Sequence, residues 1–193
     1  QEVRGYSALT AGLCTLPMAA MSLIFAPISG RLVGTYGARP SLLAAGVLMA
    51  AGAAVFTRLA ADTPLAVLMV GYVVFGIGFA LVNAPITNTA VSGMPLAQAG
   101  VAAAVASTSR QVGSALGIAV TGSVAASRLV GPLSTGFAVA SRAAWWILVG
   151  CGLVVLVLGF ASTTARAKAS AARVAERFPE HEPATRPVPA GAR

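Results

Sequence analysis

Arg110 and Gln111 stand side by side within residues 99–125, a stretch with no other charge. A guanidinium keeps its proton and only donates hydrogen bonds. In an apolar helix it must face protein or water, because placing it in hydrocarbon costs about 2.5–3.5 kcal/mol on insertion scales. Two readings of the pair stand level. It lines a wet cavity or braces a gate, or it reaches a neighbouring helix, where Asn83, Thr87 and Asn88 are candidate partners. Asn83 and Asn88 flank Pro85, which lacks a backbone N–H, frees a carbonyl in any helix that holds it, and leads us to expect a kink. Amides beside such a kink either hydrogen-bond a ligand or join helices, the latter worth about 0.6 kcal/mol per contact.

Acid–base and nucleophilic chemistry have little to work with. Between Ser7 and Thr163 the sole carboxylate is Asp62, and the lone His181 lies near the C-terminus. No Ser/His/Asp constellation can be built, which argues against an enzyme. The phosphate-cradling pattern GxxxxGK followed by Ser or Thr is absent, so direct use of ATP has no support. Cys14 and Cys151 sit in apolar stretches and read as small buried hydrophobes, not as a disulfide or metal site.

These side chains need a scaffold, and composition names its solvent. The chain is 57% hydrophobic and 9% charged, with a mean hydropathy of +0.84. A soluble domain carries about 25% charged residues. So much apolar surface points to lipid. A spanning helix needs roughly 20 mainly apolar residues, since the hydrocarbon layer is about 30 Å thick and each residue rises about 1.5 Å. Five stretches qualify, at about 7–29, 41–61, 65–91, 99–125 and 143–163. Asp62, Thr63 and Pro64 mark one turn, and Gly93, Met94 and Pro95 another. The fourth stretch is the least apolar, and its alternative is an interfacial or soluble helix. The expected fold is all-α, a polytopic bundle of about five spans.

Within that bundle Ser109, Gly113, Gly117 and Thr121 recur every four residues, a small-residue stripe suited to close helix packing. Arg110 falls on the adjacent face. Pro17 and Pro27 predict bends in the first span. Trp145 and Trp146, at the start of the fifth, read as interface anchors. Residues 164–193 are polar and proline-rich and read as a basic, largely disordered tail. The chain opens on Gln1 with no signal-peptide pattern and reads as a piece of a longer protein.

The net charge of +8 does not indicate nucleic-acid binding: six of the thirteen cations lie after Thr164 and the rest are scattered singly. Their placement speaks to orientation instead. One set of connections holds Arg31, Arg39 and the six tail cations; the other holds Arg4, Arg58, Arg128 and Arg142. Cytoplasmic loops carry the excess of Lys and Arg, so the first set and the C-terminus are expected in the cytoplasm. Its centre is GRLVGTYGARP, residues 30–40, read as a tight hairpin between two spans. Gly30 and Gly34 would admit a close neighbour, Gly37 would take the φ > 0 turn position, and Arg39 would meet helix C-terminal carbonyls or anionic lipid heads.

The pattern of Gly30, Arg31, Leu32, Gly34, Gly37 and Arg39 resembles the signature cytoplasmic loop of the major facilitator superfamily. The common form has Asp at the position of Gly34, Arg at Thr35 and a basic residue at Ala38, and this copy lacks all three. GYSALTAGLCTLPMAA, GIGFALVNAPITNTAVSGMP and AGVAAAVASTSRQVGSALGIAVTGSV resemble the C-terminal part of 14-helix drug:proton antiporters. The resemblance covers about residues 5–163. It implies the last five helices of an inner-membrane exporter driven by a proton gradient without a bound cofactor. It implies as partners the lipid bilayer, the N-terminal helices of the transporter and a small-molecule substrate. On this reading Asn83, Asn88, Arg110 and Gln111 line the translocation path or a gate. Other expectations are a transporter of another solute, such as a sugar, siderophore or metabolite, and a non-transporting scaffold or remnant.

Overall fold

The structure is a computed structural model that describes residues 3–60, 62–91 and 96–162. The expectation for the 164–193 tail, and the break at residues 93–95, lie outside the described residues. Among the described residues five helices follow in order: α1 (Ala8–Tyr36), α2 (Ala38–Phe56), α3 (Leu65–Val91), α4 (Leu96–Ser127) and α5 (Leu133–Ser162). Four helices, α1, α2, α3 and α5, are long and apolar enough to cross a membrane. The outward faces agree: Leu9, Leu13, Leu16, Leu23 and Ile24 of α1 are all exposed. In water that stripe would be costly, whereas against lipid chains it is at home.

Local chemistry sets the helix ends. Ser7 caps α1, its hydroxyl accepting from the Thr10 N–H at 3.2 Å. The α1–α2 connection is far tighter than the expected hairpin. α1 continues through Gly30, Arg31, Leu32 and Gly34 to Tyr36, and the turn is Gly37 alone, at φ 80°. Only glycine takes that left-handed position without strain, and its N–H closes the helix on the Val33 carbonyl at 3.0 Å. α2 therefore starts three residues earlier than expected and α5 ten earlier, so Trp145 and Trp146 lie three turns inside α5. α1 runs unbroken through Pro17 and Pro27.

α2 is the hub, packed on α3 and α5, with α1 against α3. Glycines make these contacts close. A Cβ added at Gly46 would lie 2.7 Å from the Leu156 backbone nitrogen, and one at Gly152 2.7 Å from that of Ala50. Gly52 stands likewise against Phe75, Gly78 against Met49, and Gly76 against the Met18 carbonyl. Helices in lipid associate through backbone approach of this kind rather than by expelling water. The glycines singled out by spacing lie open among the described residues. Cβ atoms at Gly30, Gly34, Gly113 and Gly117 would meet nothing within 4 Å. The described residues thus supply no close neighbour to the GxxxG of α4 or to the end of α1.

The contact pairs fix direction. Gly159 meets Leu42, Gly152 meets Ala50 and Arg142 meets Leu59, so α5 runs antiparallel to α2. α3 begins beside the end of α2, where Phe56 lies against Gly71 and Tyr72. Hence the end of α3 and the start of α5 lie at opposite ends of the bundle, and α4 joins them. Its first half reaches Thr87 of α3 through Arg110, while Thr121 and Gly122 share a cavity with Leu59 and Ser141 at the other end. α4 runs the length of the bundle.

Pro85 shows how the interior satisfies its polar groups. Its missing N–H leaves the Leu81 carbonyl, four residues earlier, without a helical donor. Ser29 of α1 and Ser41 of α2 donate to that carbonyl at 3.0 and 2.8 Å, and their hydroxyls lie 3.0 Å apart. Both serines are fully buried. One proline-freed acceptor therefore ties three helices at the Gly37 end. At the opposite end Arg142 sends Nε and Nη2 to the Leu59 carbonyl at 3.0 and 2.8 Å, and Arg4 donates to the Thr63 carbonyl. Trp145 packs between helices, its ring tilted 4.5 Å from that of Phe56, itself 5.2 Å from Tyr72. Trp146, 62% exposed, faces outward. Cys14 is half-buried, and Cys151 is exposed rather than buried as its apolar setting suggested.

Candidate functional site

Arg110 meets α3. Its Nη1 donates to Thr87 Oγ1 at 3.2 Å, and Thr87 passes its own proton to the Asn83 carbonyl at 3.0 Å. Asn83 Nδ2 donates to the Phe79 carbonyl at 2.9 Å. Of the partners named from sequence, the structure brings Thr87 directly to Arg110 and connects Asn83 through it. Gln111 is exposed one residue further round α4, and Asn88 is exposed near the end of α3.

Asn83, Thr87 and Asn88 also line a groove of about 680 Å³ between α3 and the end of α1. Gly30 and Gly34 form its other wall. The absence of Cβ atoms there, read from sequence as room for a helix, opens this groove instead. The amides of α3 and the glycines of the 30–40 segment thus belong to one feature, a link that spacing alone did not reveal.

Arg39 stands in the first turn of α2, where a cation gains nothing from the helix dipole. Its guanidinium carbon lies 5.2 Å from the centre of the Phe160 ring, two residues before the end of α5. A cation–π contact at an exposed site is worth about 0.5–1 kcal/mol. Arg31 is exposed on α1. In the stripe, Ser109, Gly113 and Gly117 are exposed, and Thr121 is half-buried with its hydroxyl on the Gly117 carbonyl at 2.6 Å.

A second cavity, of about 650 Å³, was missed by sequence reasoning. It opens between α1, α3, α4 and α5 at the end opposite Gly37, and its walls include Tyr72, Phe137, Ser141 and Trp145. Its residues come from five separate stretches, so no local spacing signals it.

An apolar bundle thus sets the Arg110 guanidinium of α4 against the polar face of α3 that carries Asn83 and Thr87. The sequence matches the Major Facilitator Superfamily over residues 1–118. The chain belongs to that superfamily. It is 39% identical over 129 residues to the Multidrug resistance protein Stp of Mycobacterium tuberculosis, covering 67% of this chain and 24% of that protein. It is 34% identical over 129 residues to the Tetracenomycin C resistance and export protein of Streptomyces glaucescens, with 67% and 24% covered. Over 160 residues it is 31% identical to the Quinolone resistance protein NorB of Staphylococcus aureus, with 82% and 34% covered. The chain spans about a quarter to a third of the length of these relatives. No solved structure matches it.

Proposed function

We propose that this superfamily chain is the C-terminal part of a proton-coupled exporter of drugs or other small molecules, working by alternating access. Residues 7–163 would be the last five of fourteen helices in a bacterial inner membrane. The Gly37 turn and the C-terminus would face the cytoplasm, as the Lys/Arg excess suggests. α4 would cross the membrane with the rest, its polar character explained by a wet or protein-facing surface. The observation that carries the reading is the Arg110–Thr87 contact, which sets a permanent cation beside a groove lined by amides. In such transporters substrate sits near the midplane between two halves that rock against each other. Asn83, Asn88, Arg110 and Gln111 would line that path, and the open Ser109–Gly113–Gly117–Thr121 face would receive the transporter's other helices. With no acid in these five spans, the proton-coupling carboxylates would lie elsewhere in the transporter. The role is transport, not catalysis.

The test uses the full-length transporter in inside-out vesicles. An imposed pH gradient should drive ethidium movement, and a protonophore should abolish it. Ethidium movement that ignores the gradient, or that residues 1–193 alone sustain, would refute the proposal.

A further inference from the structure

Among the described residues, nothing around Arg110 answers its charge. The residue stands 14 positions from Leu96 and 17 from Ser127, roughly 21 and 26 Å from the two ends of α4. That is close to the middle of a helix that runs the length of the bundle. Its hydrogen-bond partner is the neutral Thr87 hydroxyl, which turns its own proton away toward the Asn83 carbonyl. The hydrogen-bond chain therefore runs one way, outward from the guanidinium, and neutralises none of its charge. The groove alongside adds two amides and no acid. Asp62, the one carboxylate among the described residues, lies in the turn at the opposite end from Gly37.

We infer that Arg110 is a counter-ion position for a carboxylate, a conclusion that rests on α4 crossing the membrane as proposed above. A guanidinium offers a planar fork of donors that matches a carboxylate with two parallel hydrogen bonds. One N–H goes to Thr87, which orients the fork and leaves further donors for a ligand. A monoanion brings the site to zero net charge, whereas a phosphate dianion would leave a negative charge midway across the membrane that α4 is proposed to span. The carboxylate has two sources. It belongs to an organic acid carried as substrate, or to an Asp or Glu side chain of the transporter's other helices.

The experiment separates them in the full-length transporter, purified in detergent. Pyrenebutyrate and its methyl ester, which share a ring system and differ in charge, are titrated against wild type, Arg110→Gln and Arg110→Lys. If the substrate brings the acid, Arg110→Gln weakens pyrenebutyrate binding by about tenfold or more, leaves the ester within about twofold, and Arg110→Lys keeps part of the preference. If the protein brings it, acid and ester respond alike, Arg110→Gln lowers the melting temperature, and neutralising one Asp or Glu in another helix restores it. The inference falls if Arg110→Gln changes neither quantity, or if acid and ester respond alike and no single neutralisation restores the lost melting temperature. Ethidium movement in the wild type tests the exporter reading separately, so the two can fail independently.

Discussion

The hydrogen-bonded node around Leu81 makes a strong prediction, because its energetics follow from one absent N–H. In the folded chain the Leu81 carbonyl accepts from Ser29 and Ser41, both fully buried, while Pro85 cannot donate to it. Removing one hydroxyl leaves the other in place, so Ser29→Ala or Ser41→Ala alone should cost about 0.6 kcal/mol, the average for hydrogen bonds between membrane helices. Removing both strands a buried carbonyl, and the double variant should cost about 1–3 kcal/mol, more than the sum of the singles. Pro85→Ala then supplies the missing N–H. In the double-alanine background it should recover most of that loss, while with both serines present it should give no comparable gain. Unfolding in mixed micelles, followed by circular dichroism across the mutant cycle, measures each step. Additive serine effects, or a Pro85→Ala gain independent of the serines, would refute the reasoning.

Four shorter predictions follow from the same contacts. Gly46→Ala and Gly152→Ala should each destabilise by about 1–3 kcal/mol, since the new methyl meets backbone atoms at 2.7 Å; thermal unfolding reads the loss. Gly113→Leu, whose side chain meets no described residue near its Cβ, should cost a comparable amount in the full-length transporter if the α4 face receives other helices; a neutral result speaks against that packing. Arg142→Ala should lose about 1 kcal/mol and Arg142→Lys less, because two charged donors share the Leu59 carbonyl at a half-buried site; melting temperatures should rank wild type, Lys, Ala. With Cys14 and Cys151 replaced, Tyr36→Cys should react with an impermeant maleimide from the cytoplasmic side and Val130→Cys from the outside, both positions being over three-quarters exposed. The reverse pattern would invert the proposed orientation.

How much of this was legible beforehand differs by element. Helix existence and the lipid setting followed from hydropathy, and the left-handed turn at Gly37 from the need for one residue without a Cβ. The glycines that pack within these five helices were not the ones spacing pointed to. Gly113 and Gly117 have the GxxxG spacing, yet the close contacts fall at Gly46, Gly52, Gly76, Gly78 and Gly152. Spacing along one helix shows that a flat face exists; it says nothing of which partner lies opposite.

By itself the sequence determined the solvent, the helical class and the superfamily, because each rests on composition or on short motifs read within one segment. The contact between Arg110 and Thr87 was foreseeable only as one of three options. The tertiary structure decided what depends on relative placement: which hydroxyls reach the carbonyl that Pro85 frees, and that Arg39 meets Phe160. It also decided that α4, the least apolar of the five expected spans, runs the length of the bundle. The reason is connectivity under packing. Once α5 lies antiparallel on α2, the end of α3 and the start of α5 are at opposite ends, and the one helix between them has no shorter route.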